Sequence, residues 1–160
     1  MSSKSFLAFA AVWACACGGD DGLDKFNGEV GTILFVTQVP VAGSFTVINA
    51  NFSNHGPGVD SAPRGGDLMI RYPDGTLRNL TREAGFGDEG SVQGANAIAV
   101  REPTVHWSGN KALFSMVIGA PTKQFEPGTT TGWQIYEVSG LARDEAVAIR
   151  KIAGQPDGFN

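Results

Sequence analysis

The sequence predicts an all-β chain, and three observations carry that prediction. Charged residues make up only 18% of the 160 positions while glycine fills 22 of them, a balance suited to short strands and tight turns rather than long solvated helices. Apolar residues alternate with polar ones, or cluster in compact runs, over stretches too short for helices. Those stretches are bounded by Gly, Pro, Asn and Asp in combinations with turn chemistry. At 16.8 kDa the chain is large enough for one domain with its own core.

Lys4 followed by an apolar run from Phe6 to Ala16 has the positive start and short hydrophobic centre of a secretory leader, too short to cross a bilayer. Residues 1–16 are therefore expected to be signal rather than fold. Both cysteines, Cys15 and Cys17, lie at the end of this stretch, so residues 31–160 hold no thiol for a disulfide, a zinc–cysteine site or cysteine catalysis. Residues 17–30, rich in Gly and Asp, read as a flexible tether.

The run over 31–37 (G-T-I-L-F-V-T) is expected to be a strand buried on both faces, and 44–48 a second short strand. Residues 49–66 carry no periodicity and read as a loop. Over 67–72, Leu68, Ile70 and Tyr72 share one face and Met69 and Arg71 the other. Pro73-Asp74-Gly75 is a turn in which Pro fixes φ and Gly supplies the left-handed position, returning the chain into a partner strand over 77–81.

Residues 83–100 read as a second, Gly-rich excursion with a short helical turn over 95–100. Strands over 104–107 and 111–117 then form a hairpin through Ser108-Gly109-Asn110. In the second of them Ala112, Phe114, Met116 and Ile118 take one face and Leu113 and Val117 the other, so both faces call for cover. A third excursion over 119–132 leads to strands over 133–139 and 146–153, completing a four-stranded antiparallel meander. Trp107, Trp133, Phe35 and Phe114 are expected in the core, since each lies among apolar neighbours.

The chain repeats itself loosely. I-L-F from Ile33 aligns with A-L-F from Ala112, M-I-R from Met69 with Q-I-Y from Gln134, and R-N-L-T from Arg78 with R-K-I-A from Arg150. The offsets, 112 − 33 = 79, 134 − 69 = 65 and 150 − 78 = 72, differ because insertions of unequal length fall in the loops. Strand order is kept and spacing is not.

H-W-S-G-N-K-A-L-F-S-M resembles the W-S-P-D-G-K-x-I-A-F strand pair of TolB-type β-propeller repeats, with Gly109-Asn110 in the turn. W-Q-I-Y-E-V is similar to the following strand of that repeat, and Y-P-D-G-T-L-R-N-L-T to its last two. Together these stretches are similar to the propeller region of proteins related to the hydrazine synthase alpha subunit, over about residues 32–160. The resemblance implies a β-propeller-like fold of about two incomplete four-stranded blades, 31–81 and 103–153, with long inserted loops. It does not carry over redox chemistry, because the C-x-x-C-H of a c-type haem is absent.

The leader resembles that of bacterial lipoproteins, in which a Cys after small residues is lipidated and becomes the new N-terminus. Ala16-Cys17 before Gly18-Gly19-Asp20-Asp21 is the better site, and Ala14-Cys15 the alternative, where Trp13 is bulky. An ordinary cleaved leader with incidental cysteines is the plainer reading. The lipid reading implies a cell-envelope protein, lipidated on Cys17 on the periplasmic side, touching membrane only through that anchor.

Candidate chemistry is sparse. Gly85, Gly87 and Gly90 spell G-x-G-x-x-G, but Asp88 and Glu89 stand where a pyrophosphate would bind and would repel it. His106 is expected to pack or hydrogen-bond at the hairpin, and His55 to be a solvated loop residue. Asp20, Asp21 and Asp24, and Asp88 with Glu89, do not follow a calcium-loop pattern. No Ser-His-Asp set and no metal or cofactor motif is found, and a net charge of −4 gives no electrostatic basis for nucleic acid. These features point to a binding or scaffold module, the N-terminal part of a longer protein, with a protein or small-molecule ligand at its loops. The alternative is the propeller segment of a periplasmic haem- or metal-dependent oxidoreductase whose catalytic residues lie beyond Asn160. Open sheet edges in an unclosed fold further imply self-association.

Overall fold

The computed structural model describes residues 28–38, 59, 62–92, 94–120 and 132–156. The described chain is all-β: seven strands and a single helical turn, arranged as two antiparallel sheets. Strands β1 (Ile33–Val36), β2 (Leu68–Arg71) and β3 (Leu77–Asn79) form the first sheet in that order. Strands β4 (Gly94–Val105), β5 (Lys111–Ala120), β6 (Gln134–Ser139) and β7 (Ala148–Lys151) form the second, also in chain order. The expected four-stranded meander is therefore present, and the first sheet has three described strands rather than four. The segment expected to be a strand at 44–48 lies outside the described residues.

The β2–β3 turn follows from its residues. The amide of Thr76 donates to Asp74 Oδ1 at 2.9 Å, the Gly75 amide to the Tyr72 carbonyl at 2.9 Å, and Gly75 takes φ 91, which a Cβ would oppose. Leu68, Ile70 and Tyr72 are each at most 2% exposed, so the alternation read from sequence points at the core. β3 ends earlier than expected. Asn79 Oδ1 accepts from the Arg82 amide at 3.0 Å, and that N-cap converts residues expected in a strand into the turn α1 (Leu80–Glu83). β1 is only half covered rather than buried on both faces: it lies at the sheet's edge and Ile33 is 52% exposed.

β4 is the largest departure from the sequence reading. Residues 95–100, expected to include a helical turn, are strand, and Ala97, Ile98, Ala99 and Val100 are all buried because both faces of the second sheet are covered. Register shifts between Gly94 and Ile98, and between Arg101 and Thr104, mark bulges, the second with Glu102 at φ 55. At the β6–β7 turn Gly140 takes φ 78 with the Ala146 carbonyl so close that any Cβ would overlap it.

The sheets pack face to face. Leu68, Ile70, Tyr72 and Leu80 meet Ile98, Val100, Ala112, Phe114, Met116, Tyr136 and Val138, with Leu34 and Val36 packed at the margin. Phe114 and Tyr136 stack at 5.9 Å between ring centroids. Each such large side chain contributes about 1.5–3 kcal/mol on leaving water, so this layer dominates stability. On the opposite face of the second sheet Val59, Ala62, Ala99, Val117 and Trp133 form a smaller cluster. Trp107, expected in the core, is instead 55% exposed, because it sits in the β4–β5 turn rather than in a strand.

Candidate functional site

The antiparallel order sorts the connections to two ends of the stacked sheets. The tight turns, 72–76, 106–110 and 140–147, gather at one end. Tyr72, Val105, Asn110, Leu141 and Arg143 there line a common cleft with Glu29 and Thr32. The long connections, 37–67, 80–93 and 121–133, leave from the other end, as the hydrogen bonds from Gly65 to Ile98 (2.8 Å) and from Arg64 to Gly119 (2.9 Å) confirm.

The turn end is a polar clamp over an apolar floor. Tyr72, 1% exposed, donates its hydroxyl to the Leu141 carbonyl at 2.9 Å. Arg78 reaches across the same gap to the Ala142 carbonyl at 2.6 Å and the Glu145 carbonyl at 3.0 Å, and pairs with Glu83 at 2.6 Å. Arg143 returns the link, pairing with Glu29 at 3.0 Å and Asp74 at 2.7 Å while its guanidinium lies 4.3 Å from the Tyr72 ring centroid. The hydrogen bond from Arg143, seconded by the Thr76 amide, holds the Asp74 carboxyl down at about 2. Glu83 on Arg78, and Glu29 with Asp74 on Arg143, push both guanidinium groups further into their charged form.

Beneath the clamp lies a cavity of about 160 Å³ floored by Leu34, Ile70 and Leu141. That volume is well below the roughly 300–1,000 Å³ of small-molecule sites, so the cavity has room for a short side chain or a few waters rather than a whole small molecule.

At the loop end the described roots of the long connections are fastened to the sheets. Arg64, 4% exposed, donates to the carbonyls of Gly119 and Val59, each at 2.9 Å, tying the first connection to the end of β5. The Thr37 and Asp67 backbones are joined by Thr37 N–H to Asp67 O at 2.9 Å, and the Thr81 hydroxyl donates to Asp67 Oδ1 at 2.8 Å. Arg82 lies 3.5 Å from the same carboxylate. The Arg101 guanidinium covers the Trp133 ring at 3.9 Å, fixing the root of the third connection.

Of the residues singled out in the sequence, Cys15, Cys17, His55, Asp20, Asp21 and Asp24 lie outside the described residues. His106 takes part in the β4–β5 turn, with Nδ1 2.7 Å from Ser108 Oγ. That pair is not a nucleophile and base: Ser108 is fully buried and its hydroxyl donates to Asn110 Oδ1. Gly85, Gly87 and Gly90 follow α1 and lead towards β4, the reverse of the strand-then-helix context a dinucleotide site requires. Asp88 and Glu89 are exposed there, and among the described residues no three His, Cys, Asp or Glu side chains converge as a metal site would need. The Tyr72–Leu141 bond and both arginine clamps were missed from sequence, since nothing local marks contacts between residues so far apart.

No family model, no curated protein and no solved structure matches the chain.

Proposed function

We propose that this chain is a binding or scaffold segment of a cell-envelope lipoprotein, tethered through a lipid on Cys17 and built from propeller-like blades whose loop end is the recognition surface. The observation that carries this reading is the segregation of the connections. All three long insertions leave one end of the stacked sheets, from roots pinned by Arg64, Asp67 and Trp133, while the other end is closed by tight turns and the Arg78 and Arg143 clamps. Recognition on long loops held by a rigid sheet pair needs little ordering of the scaffold on binding. Two features support the propeller-like part of the reading: each sheet is a chain-order antiparallel meander, and the two stack face to face.

The test is site-directed photo-crosslinking in cells. A photoreactive residue at Val92, exposed in the second long connection, is compared with one at Asp144, exposed at the turn end. Adducts with an envelope component from Val92 and none from Asp144 would support the assignment. Adducts from Asp144 alone would place recognition at the wrong end and overturn it.

A further inference from the structure

The β4–β5 turn holds three close contacts that compete for the same protons. His106 Nδ1 lies 2.7 Å from Ser108 Oγ, the Ser108 amide points at the same Nδ1 at 3.3 Å, and Ser108 Oγ is hydrogen-bonded to Asn110 Oδ1. Ser108 is fully buried, so its polar groups depend on these partners rather than on water.

A hydroxyl has one proton to give, and Asn110 Oδ1 has none. When Ser108 gives its proton to Asn110, Nδ1 must supply the proton between itself and Oγ. An Nδ1 that carries a proton has no lone pair for the Ser108 amide, which is left facing another donor. Turning the Asn110 amide over removes the conflict, because it brings Nδ2 to the place of Oδ1. Nδ2 then donates to Oγ, the hydroxyl donates to Nδ1, and the Ser108 amide keeps the bare Nδ1 as its acceptor.

The two arrangements differ by one proton on Nδ1. Neutral His106 satisfies the whole set by carrying its proton on Nε2 and leaving Nδ1 bare. The imidazolium is protonated on both nitrogens, so Nδ1 can only donate to Oγ, and the hydroxyl must then turn to Asn110 Oδ1. One proton enters from solvent at His106, which is only partly buried, and the hydroxyl proton rotates without leaving its oxygen.

Among the described residues His106 makes no ion pair. The charged residue of β5 is Lys111, whose carbonyl accepts from the His106 amide at 2.8 Å. From the other elements Glu29, Arg143 and Glu145 line the cleft that Asn110 shares, with Arg143 held by Glu29 and Asp74. The Trp107 ring stands 5.0 Å from the imidazole between centroids, an aromatic neighbour that accommodates a cation.

We propose that protonation of His106 turns the Asn110 amide over, making the β4–β5 turn a pH-operated switch. Its output is the polar lining of the turn-end cleft, where Asn110 stands with Thr32, whose hydroxyl is buried without a partner. The Asn110 atom turned away from Ser108 is the acceptor Oδ1 when His106 is neutral and the donor Nδ2 when it is charged. The switch is independent of the loop-end recognition and of the lipid on Cys17.

The test is NMR on the 160-residue chain with Cys15→Ser and Cys17→Ser, taken from about pH 8 to about pH 5, the interval in which histidine changes charge. Ring signals of the other histidine, His55, are identified by their loss in His55→Gln. At the upper pH, ring nitrogen shifts should show a bare Nδ1, and the Asn110 side-chain amide protons should show Overhauser contacts to the Ser108 β protons. Those contacts should disappear on acidification with the midpoint of the His106 ring, while the Ser108 amide proton moves upfield as it loses its acceptor. In Ser108→Ala the ring still titrates and the Asn110 amide should no longer follow it. A proton on Nδ1 at the upper pH, one Asn110 orientation throughout the His106 titration, or an Asn110 amide that still follows His106 in Ser108→Ala would each overturn the proposal and leave the loop-end reading standing. Adducts from Asp144 alone in the crosslinking test would do the reverse.

Discussion

The hydroxyl of Tyr72 lies 2.9 Å from the carbonyl oxygen of Leu141, joining the end of β2 to the β6–β7 turn across 69 residues of chain. Tyr72 is buried and also accepts from Arg78 at 3.2 Å, so the bond sits in a small network sheltered from water. Tyr72→Phe keeps the ring and removes the hydroxyl, leaving the Leu141 carbonyl without this donor. A loss of about 1–3 kcal/mol in unfolding free energy is expected by urea titration, with an unchanged m-value.

Neighbouring residues on β5 should respond very differently to truncation. Phe114 is 2% exposed between the sheets, whereas Leu113 is 45% exposed on the outer face. Phe114→Ala is expected to lose about 3–5 kcal/mol. Leu113→Ala should change stability by no more than about 1 kcal/mol. Chemical denaturation followed by far-ultraviolet circular dichroism distinguishes the two, and equal losses would mean that the faces have been assigned the wrong way round.

The Arg143–Asp74 link gives the turn end an acid-sensitive component. Asp74 is held at about 2 in the folded chain against an ordinary 3.8, so the folded state binds its proton less readily than the unfolded state. Its stabilisation is complete above about 4 and is lost as pH falls towards about 2. Carboxyl carbon shifts read by NMR should show Asp74 titrating near the lower value, and Arg143→Ala should move that titration back towards 3.8 while the Thr76 amide retains part of the depression.

Anchoring is separable from folding. If Cys17 carries the lipid, Cys17→Ser should move the protein from the membrane fraction to the soluble one, whereas Cys15→Ser should not. Membrane retention after Cys17→Ser would remove the lipid assignment and leave the fold untouched.

How far the fold could be read from sequence varied with how local its causes are. The 67–72 alternation and the Pro73-Asp74-Gly75 turn are set by neighbours in sequence, and both stand as expected. Residues 95–100 were misread because Ala95, Ala97 and Ala99 favour helix and the run does not alternate. It does not alternate because Val59 and Ala62 cover one face and the first sheet the other, which only the folded chain supplies. Trp107 reads as core from its apolar neighbours and is exposed because the hairpin turns at that point. The turn-end clamp was the least legible. Arg143 meets Glu29 across 114 residues, and surface arginines carry no mark of such a partner.

The repeat alignment holds in register for β1 with β5 and for β3 with β7, whereas strand pairing sets Ile70 equivalent to Glu137 rather than to Ile135, a two-residue slip that sequence similarity alone cannot detect. Matching Leu34 to Leu113 states only that two strands are alike. That one leucine points towards the neighbouring sheet and the other away depends on how the sheets stack.

The central claim is that the two sheets are one cooperative unit, stacked through Ile70 and Phe114 and bolted by Tyr72. The most direct test is native-state hydrogen exchange read at the amides of Ile70 in β2 and Phe114 in β5. Both should exchange only through global opening, with the same free energy and the same denaturant dependence. Exchange of Ile70 through a separate, lower-energy opening while Phe114 stays protected would mean that the first sheet is a loose attachment, and would contradict the account.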